Sequence, residues 1–216
     1  MRKTALFVIL VLITGVACAQ KARLNAYGSY VFDDSYDAYY DNNNYYNGKV
    51  KGGFQYGGGL EYMIQPHYCI ELMYLGRTAH APTTYQGGIA STYKSTSFDV
   101  NLNYLMLGSD THRANPNGKV EGYGGIFAGA LFMNVDNPES GKSASATKFA
   151  WLMRLGANIW ASPKVGIKLQ TQLVSSVDAV GGTVYFGTGG AGVGLSTYST
   201  LFQFGIGGGL TFKLGK

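Results

Sequence analysis

The sequence predicts an all-β fold: an eight-stranded antiparallel up-and-down barrel that crosses a lipid bilayer, with ten strands as the alternative count. Three observations predict it. The chain opens on an export-type leader, the remainder alternates with period two almost throughout, and the connections run alternately long and short.

In the leader, Arg2 and Lys3 precede an apolar run from Ala5 to Val16, and Ala17-Cys18-Ala19 supplies the small residues of an A-x-A cleavage site. Residues 1–19 are therefore expected to be a signal peptide, leaving a mature domain of 20–216. The apolar run is too short to be read as a spanning helix by default. Two other readings stay open. One is lipid attachment at Cys18, for which Gly15 stands where leucine is expected; the other is an uncleaved anchor.

Loss of Arg2 and Lys3 lowers the formal charge from +5 to +3, and no basic block occurs, so no nucleic acid partner is expected. Only Cys69 remains after the leader, which rules out an intrachain disulfide. The domain must be held by a large core or by a closed, lipid-embedded sheet. With 32 Gly, 17 Tyr and only 13% charged residues, the composition suits a sheet wet on one side and oily on the other.

The strands follow in order. In the first, Leu24, Ala26, Gly28, Tyr30 and Phe32 share a face opposite Arg23, Asn25, Tyr27 and Ser29. In the second, Phe54, Tyr56, Gly58, Leu60 and Tyr62 oppose Gln55, Gly57, Gly59 and Glu61. In the third, Tyr68, Ile70, Leu72 and Tyr74 oppose Cys69, Glu71, Met73, Leu75 and Arg77. The fourth sets Phe98, Val100, Leu102 and Tyr104, expected toward lipid, against Ser97, Asp99, Asn101 and Asn103. The fifth runs from about Val120 to Met133 with its faces blurred by small residues, and Glu121 must point away from lipid. The sixth sets Phe149, Trp151, Met153, Leu155 and Ile159 against Lys148, Arg154 and Asn158. The seventh sets Val165, Ile167, Leu169 and Leu173 against Lys168, Gln170 and Gln172. The eighth sets Phe202, Phe204, Ile206, Leu210, Phe212 and Leu214 against Gln203, Thr211 and Lys213.

Long connections are expected near 33–51, 79–92, 134–147 and 178–198, and shorter ones at 65–66, 109–119 and 161–164. Outer-membrane barrels carry short turns on the periplasmic side and long loops outside, and an even strand count leaves both mature termini in the periplasm. Within the last long connection, Thr183-Val184-Tyr185-Phe186 can pair with Ala191 to Leu195, giving either ten strands or a hairpin above the membrane.

A strand in lipid must pair every backbone N–H and C=O, so the sheet has to close. Tyr30, Phe32, Phe54 and Tyr56 fall near the long-loop ends, and Tyr62, Tyr68, Tyr104 and Phe212 near the other rim, as two aromatic girdles would require. An exported soluble barrel with its aromatics turned inward is the rival. Arg23, Glu61, Glu71, Arg77, Asp99, Glu121, Arg154, Lys168 and Lys213 all fall away from the bulky apolar faces. In a membrane barrel they point inward, where they are expected to form a hydrogen-bonded network that plugs a narrow lumen.

In the final strand Gly207, Leu210 and Phe212 match the glycine-then-alternating-aromatic ending read by the barrel assembly machinery. The chain thereby resembles the small outer-membrane β-barrel proteins of Gram-negative bacteria, in particular the outer membrane protein β-barrel domain family of Bacteroidota. Gly205 departs from that pattern, as do Leu214-Gly215-Lys216, which continue past the aromatic position. The resemblance implies insertion into outer-membrane lipid by that machinery, and implies no single activity.

Among candidate sites, the first long loop carries Asp33, Asp34, Tyr36, Asp37, Tyr39, Tyr40, Asp41, Tyr45 and Tyr46. It reads either as a polar loop or as a binder of a cation, glycan or protein, although no calcium-loop spacing is present. His80 beside Ser91 or Ser95 is the one conceivable hydrolytic pair, and no G-x-S-x-G stretch supports it. His67 and His112 are expected on turns, and Cys69 is expected as an interior side chain. The glycine-rich 187–192 segment lacks the ending of a phosphate loop. No cofactor is implied, and the chain reads as non-enzymatic. It reads as a structural or accessory envelope protein, with an envelope protein complex as its partner, or as a surface-binding protein acting through its loops; a lipid-modifying hydrolase and a small-solute channel are the further alternatives.

Overall fold

A computed structural model describes residues 21–41, 44–86, 94–138, 141–177, 183–187, 190–194 and 201–215. The leader assigned to 1–19, Ser91, and the side chains of Tyr36, Asp37, Tyr39, Tyr40, Asp41, Tyr45 and Tyr46 lie outside the described residues. Described strands are β1 (Ala22–Val31), β2 (Asp34–Asp41), β3 (Asn44–Val50), β4 (Gly53–Gln65), β5 (Tyr68–Gln86), β6 (Lys94–Ala114), β7 (Val120–Asn137), β8 (Lys142–Trp160), β9 (Val165–Val177), β10 (Thr183–Gly187), β11 (Gly190–Gly194) and β12 (Leu201–Lys213).

Eight of them close into an antiparallel barrel in the order β1-β4-β5-β6-β7-β8-β9-β12, with β12 returning to β1 through Arg23↔Lys213 to Val31↔Gly205. Closure leaves no free edge, which a strand in lipid requires. The remaining four form two hairpins. β2–β3 joins the sheet alongside β5, with Tyr45 opposite Gln86, and β10–β11 stands as a separate pair. The count of eight therefore holds, and the Thr183–Phe186 segment makes a hairpin rather than two further barrel strands.

One end carries only short turns. Pro66-His67 links β4 to β5, 115–119 links β6 to β7, and 161–164 links β8 to β9. Gly118, at φ 69°, takes the left-handed step that tightens the second turn. That turn is shorter than the 109–119 span expected, because β6 stays paired as far as Ala114 opposite Glu121. At the other end β5, β6, β7 and β8 run to 19, 21, 18 and 19 residues. About 9–11 residues suffice to cross the hydrocarbon layer. The excess takes up most of the expected connections near 79–92 and 134–147 as paired strand and raises a wall at the loop end.

The wall corrects one expectation. Phe98, Val100, Leu102 and Tyr104 were expected on lipid; all are buried in the interior. Asp99, expected inside, faces outward and pairs with His80 (Nδ1···Oδ1 2.7 Å). The outward residues here form polar rows across the four strands, Thr78–Asn101–Asn134–Ser145 and His80–Asp99–Asp136–Ser143. A surface so polar belongs in water, so the apolar side turns in to make a core of Phe98, Val100, Leu102, Leu131, Val135 and Leu152.

Lower on β6 the outward residues become Leu105 and Leu107, 47% and 57% exposed. They join Leu60, Leu72, Ile126, Leu155, Leu169 and Ile206 in an apolar band around the outer wall. Lipid is the medium that such a band fits. Tyr74 marks its upper edge on β5, donating its hydroxyl to Asn103 Oδ1 at 2.7 Å. Tyr30, Phe32, Phe54, Tyr56, Trp151, Phe202 and Phe204 stand around the loop side, where Phe32 stacks on Phe204 at 5.9 Å. Tyr62, Tyr68 and Phe212 stand at the turn side. Tyr104, assigned to that rim, is instead enclosed in the lumen, because the inward phase of β6 carries it there.

Candidate functional site

Inside the apolar band the lumen is filled by charge. Alternation on β1, β4, β5, β6, β7, β8 and β9 aims Arg23, Asn25, Tyr27, Glu61, Glu71, Asp110, His112, Glu121, Arg154, Asn158 and Lys168 inward, and all are buried. Short inward residues such as Gly59 and Gly125 leave the space: a Cβ on Gly59 would collide with Glu71, and one on Gly125 with Asp110.

Arg154 occupies the centre, wholly enclosed. It donates from Nη2 to both Glu71 and Asp110, from Nε to Asp110 Oδ1 at 3.1 Å and from Nη1 to the Tyr27 hydroxyl at 3.0 Å. Its guanidinium also lies 4.5 Å from the Phe127 ring centroid. Two carboxylates, a phenol and an aromatic face satisfy a planar cation that lysine could not replace. Tyr27 in turn donates to Glu71.

A second centre lies nearer the turn end. Arg23 Nη1 reaches Glu121 Oε1 at 2.7 Å and Glu61 Oε1 at 3.3 Å. His112 is held from both sides, with Nδ1 2.6 Å from Glu121 and Nε2 3.4 Å from both Glu61 Oε1 and Cys69 Sγ. Asn158 donates to Glu121 at 3.1 Å. Lys168 Nζ stands 3.7 Å from Glu61 Oε2 and 4.5 Å from the Tyr123 ring centroid. Asn25 ties the two centres, donating to Glu61 and Glu71 at 3.1 Å each.

Of the nine charges assigned to an interior network, Arg23, Glu61, Glu71, Glu121, Arg154 and Lys168 meet here. Arg77 is also inside but higher, donating to Gln203 at 2.9 Å. Lys213 stands at the turn-end mouth over the Trp160 ring at 3.7 Å. Asp99 is on the outer wall, as described above. Sequence reasoning missed Asp110 and His112. His112 was expected on a turn, yet both continue the inward series Tyr104, Met106, Gly108 along β6. Reading 109–119 as a connection hid them, because β6 stays paired as far as Ala114.

In the first long loop, Asp33 pairs with Lys49 at 2.6 Å and accepts from Gly52 N at 2.7 Å, and these contacts hold its carboxyl below the usual range. Asp34 accepts from Phe202 N at 2.8 Å. These two carboxylates brace the β2–β3 hairpin onto the barrel. His80 has no serine partner among the described residues: the register sets Ser95 opposite Thr84, four positions beyond His80. Gly207 packs against Ser29 across the closing seam, with Leu210 outward on the same strand.

Chemically, Cys69, His112 and Glu121 stand in the relation of thiol, base and orienting carboxylate. Cys69 is fully enclosed and His112 2% exposed, so no bulky substrate reaches the sulfur. The same donors, with Glu61, are of kinds that hold metal ions: one ligand atom each from Glu61, Cys69 and His112 lies within 4.8 Å of the others.

No protein-family model matches the sequence, and no curated protein matches it. Solved structures do. The crystal structure of Neisserial surface protein A superposes with TM-score 0.58 at 12% identity, covering 89% of this chain and 97% of that one. The N-terminal β-barrel domain of Pseudomonas aeruginosa OprF gives 0.45 at 13%, over 89% and 97%. The outer membrane protease OmpT from Escherichia coli gives 0.49 at 8%, over 88% and 96%. The likeness to Neisserial surface protein A shows a shared outer-membrane β-barrel fold, and none of these structures singles out the Bacteroidota family.

Proposed function

We propose that this protein is a sealed, non-enzymatic outer-membrane barrel with a structural or accessory role in the envelope, exercised through the wall raised beyond the lipid. The long-loop end then faces outward and both mature termini lie in the periplasm, next to the short turns. Support comes from the lumen. Arg154, Glu71, Asp110 and Tyr27 close its middle, and the Phe98–Leu102–Leu131–Leu152 core closes it above. Solutes have no aqueous path through such an interior. Planar bilayers containing the purified barrel should therefore show no stable conductance. Reproducible single-channel steps that scale with ionic strength would overturn the reading in favour of transport. Isolation from solubilised membranes should recover an envelope complex.

A second reading, surface binding, is favoured by one feature. The β2–β3 hairpin joins the sheet at β5, so the tyrosine-rich loop is held on a paired support. Replacing Tyr36, Tyr39, Tyr40, Tyr45 and Tyr46 with serine should then abolish adherence to host cells or matrix while heat-modifiable migration of the barrel is preserved. Unchanged adherence would eliminate this second reading.

A further inference from the structure

We propose that Glu61, Cys69 and His112 bind one zinc ion at the turn end of the lumen. They come from three successive strands, β4, β5 and β6, so the barrel itself sets their spacing. Ligand atoms about 2.0–2.3 Å from a tetrahedral zinc stand roughly 3.3–3.7 Å from one another. Two separations here are 3.4 Å, from Cys69 Sγ to His112 Nε2 and from His112 Nε2 to Glu61 Oε1, and the third lies within 4.8 Å.

The surroundings match as well. Zinc-binding histidines hand their second nitrogen to a carboxylate, which aims the first at the metal. Glu121 plays that part, 2.6 Å from Nδ1, and is itself held by Arg23 and Asn158. Glu61 Oε1, fully buried, accepts no hydrogen bond, although Arg23 Nη1 stands 3.3 Å away. Thiolate, imidazole and carboxylate together favour zinc over calcium or magnesium, which take oxygen ligands.

Charge points the same way. With His112 counted as neutral, Arg23, Arg154 and Lys168 face four carboxylates, Glu61, Glu71, Asp110 and Glu121, a net charge of minus one. On binding, a zinc–sulfur bond forms and the Cys69 thiol proton leaves to water, with no change of oxidation state. The dication and the thiolate together add one positive charge and balance the cluster. A cleft of about 390 Å³ at the turn-end mouth is lined by Lys21, Arg23, Met63, Gln65 and Lys213, of which Arg23 contacts Glu61. Three protein ligands leave a fourth position for water.

The test uses the whole barrel in detergent, stripped with chelator and titrated with Zn²⁺ and with Co²⁺ as an absorbing probe. One ion per barrel should bind, and Co²⁺ should give a thiolate-to-metal charge-transfer band. Cys69→Ala and His112→Gln should each lose the band and the stoichiometric binding, while folded migration on gels is retained. Glu121→Gln should weaken affinity about 10–100-fold. His80→Ala, on the outer wall, should leave binding unchanged. Absence of metal uptake by the native barrel overturns the proposal, as does full binding by Cys69→Ala or loss of binding in His80→Ala. Should Cys69→Ala fail to fold, the band in the native protein and its loss in His112→Gln decide.

Discussion

Arg154 on β8 and Glu71 on β5 are 83 positions apart, on strands that are not neighbours, and their side chains join guanidinium to carboxylate across the lumen. Removing one partner of such a pair strands the other charge without water. Arg154→Leu should therefore destabilise the barrel by about 3–5 kcal/mol. A triple variant that also carries Glu71→Gln and Asp110→Asn should recover most of the loss. Urea unfolding in lipid vesicles measures both, and equal stabilities for the single variant and the native protein would contradict the network.

Leu105 and Asn101 share the outward face of β6, on either side of the point where the polar rows give way to the apolar band. Leu105→Arg should cost about 2–4 kcal/mol and Asn101→Arg about 0–1, as expected for arginine in hydrocarbon and in water. The same unfolding measurement checks the pair. Equal penalties would mean that the boundary lies elsewhere.

Gly125 and Gly122 are close in sequence on β7 but face different surroundings. A methyl at Gly125 meets Asp110 and the Ser109 carbonyl, whereas the nearest atom to one at Gly122 is the Arg113 oxygen at 3.9 Å. Gly125→Ala should destabilise by about 1–3 kcal/mol through overpacking, and Gly122→Ala should be close to neutral. Thermal unfolding of the two variants side by side distinguishes them.

Lys49 first, and then the Gly52 amide, hold the Asp33 carboxyl below its ordinary value. A depressed carboxylate contributes fully above its unfolded value and loses that contribution as pH falls through the lowered folded value. The β2–β3 anchor should therefore stay closed from neutral pH into the ordinary carboxylate range and open only below it. Amide exchange at Gly52, followed down the pH scale and compared with Asp33→Asn, reports the opening. Protection already lost at neutral pH would count against the anchor.

Period-two alternation was enough to count the barrel strands and, on six of them, to choose the inward face, because a charge such as Glu61 or Lys168 cannot face lipid. It also placed a hairpin at Thr183–Phe186. On β6 the same pattern misled. Alternation separates two faces without saying which medium each one meets. Above the lipid, water lies outside and the core inside, so Phe98, Val100, Leu102 and Tyr104 turn inward and Asp99 outward. That reversal needs the height of each residue on the wall, which comes from the extra length of β5 to β8. The meeting of Arg154 with Glu71 and Asp110, across the lumen from β8 to β5 and β6, rests on something equally remote from local sequence. The stagger of a closed sheet brings side chains from distant strands to one level, and only closure sets it.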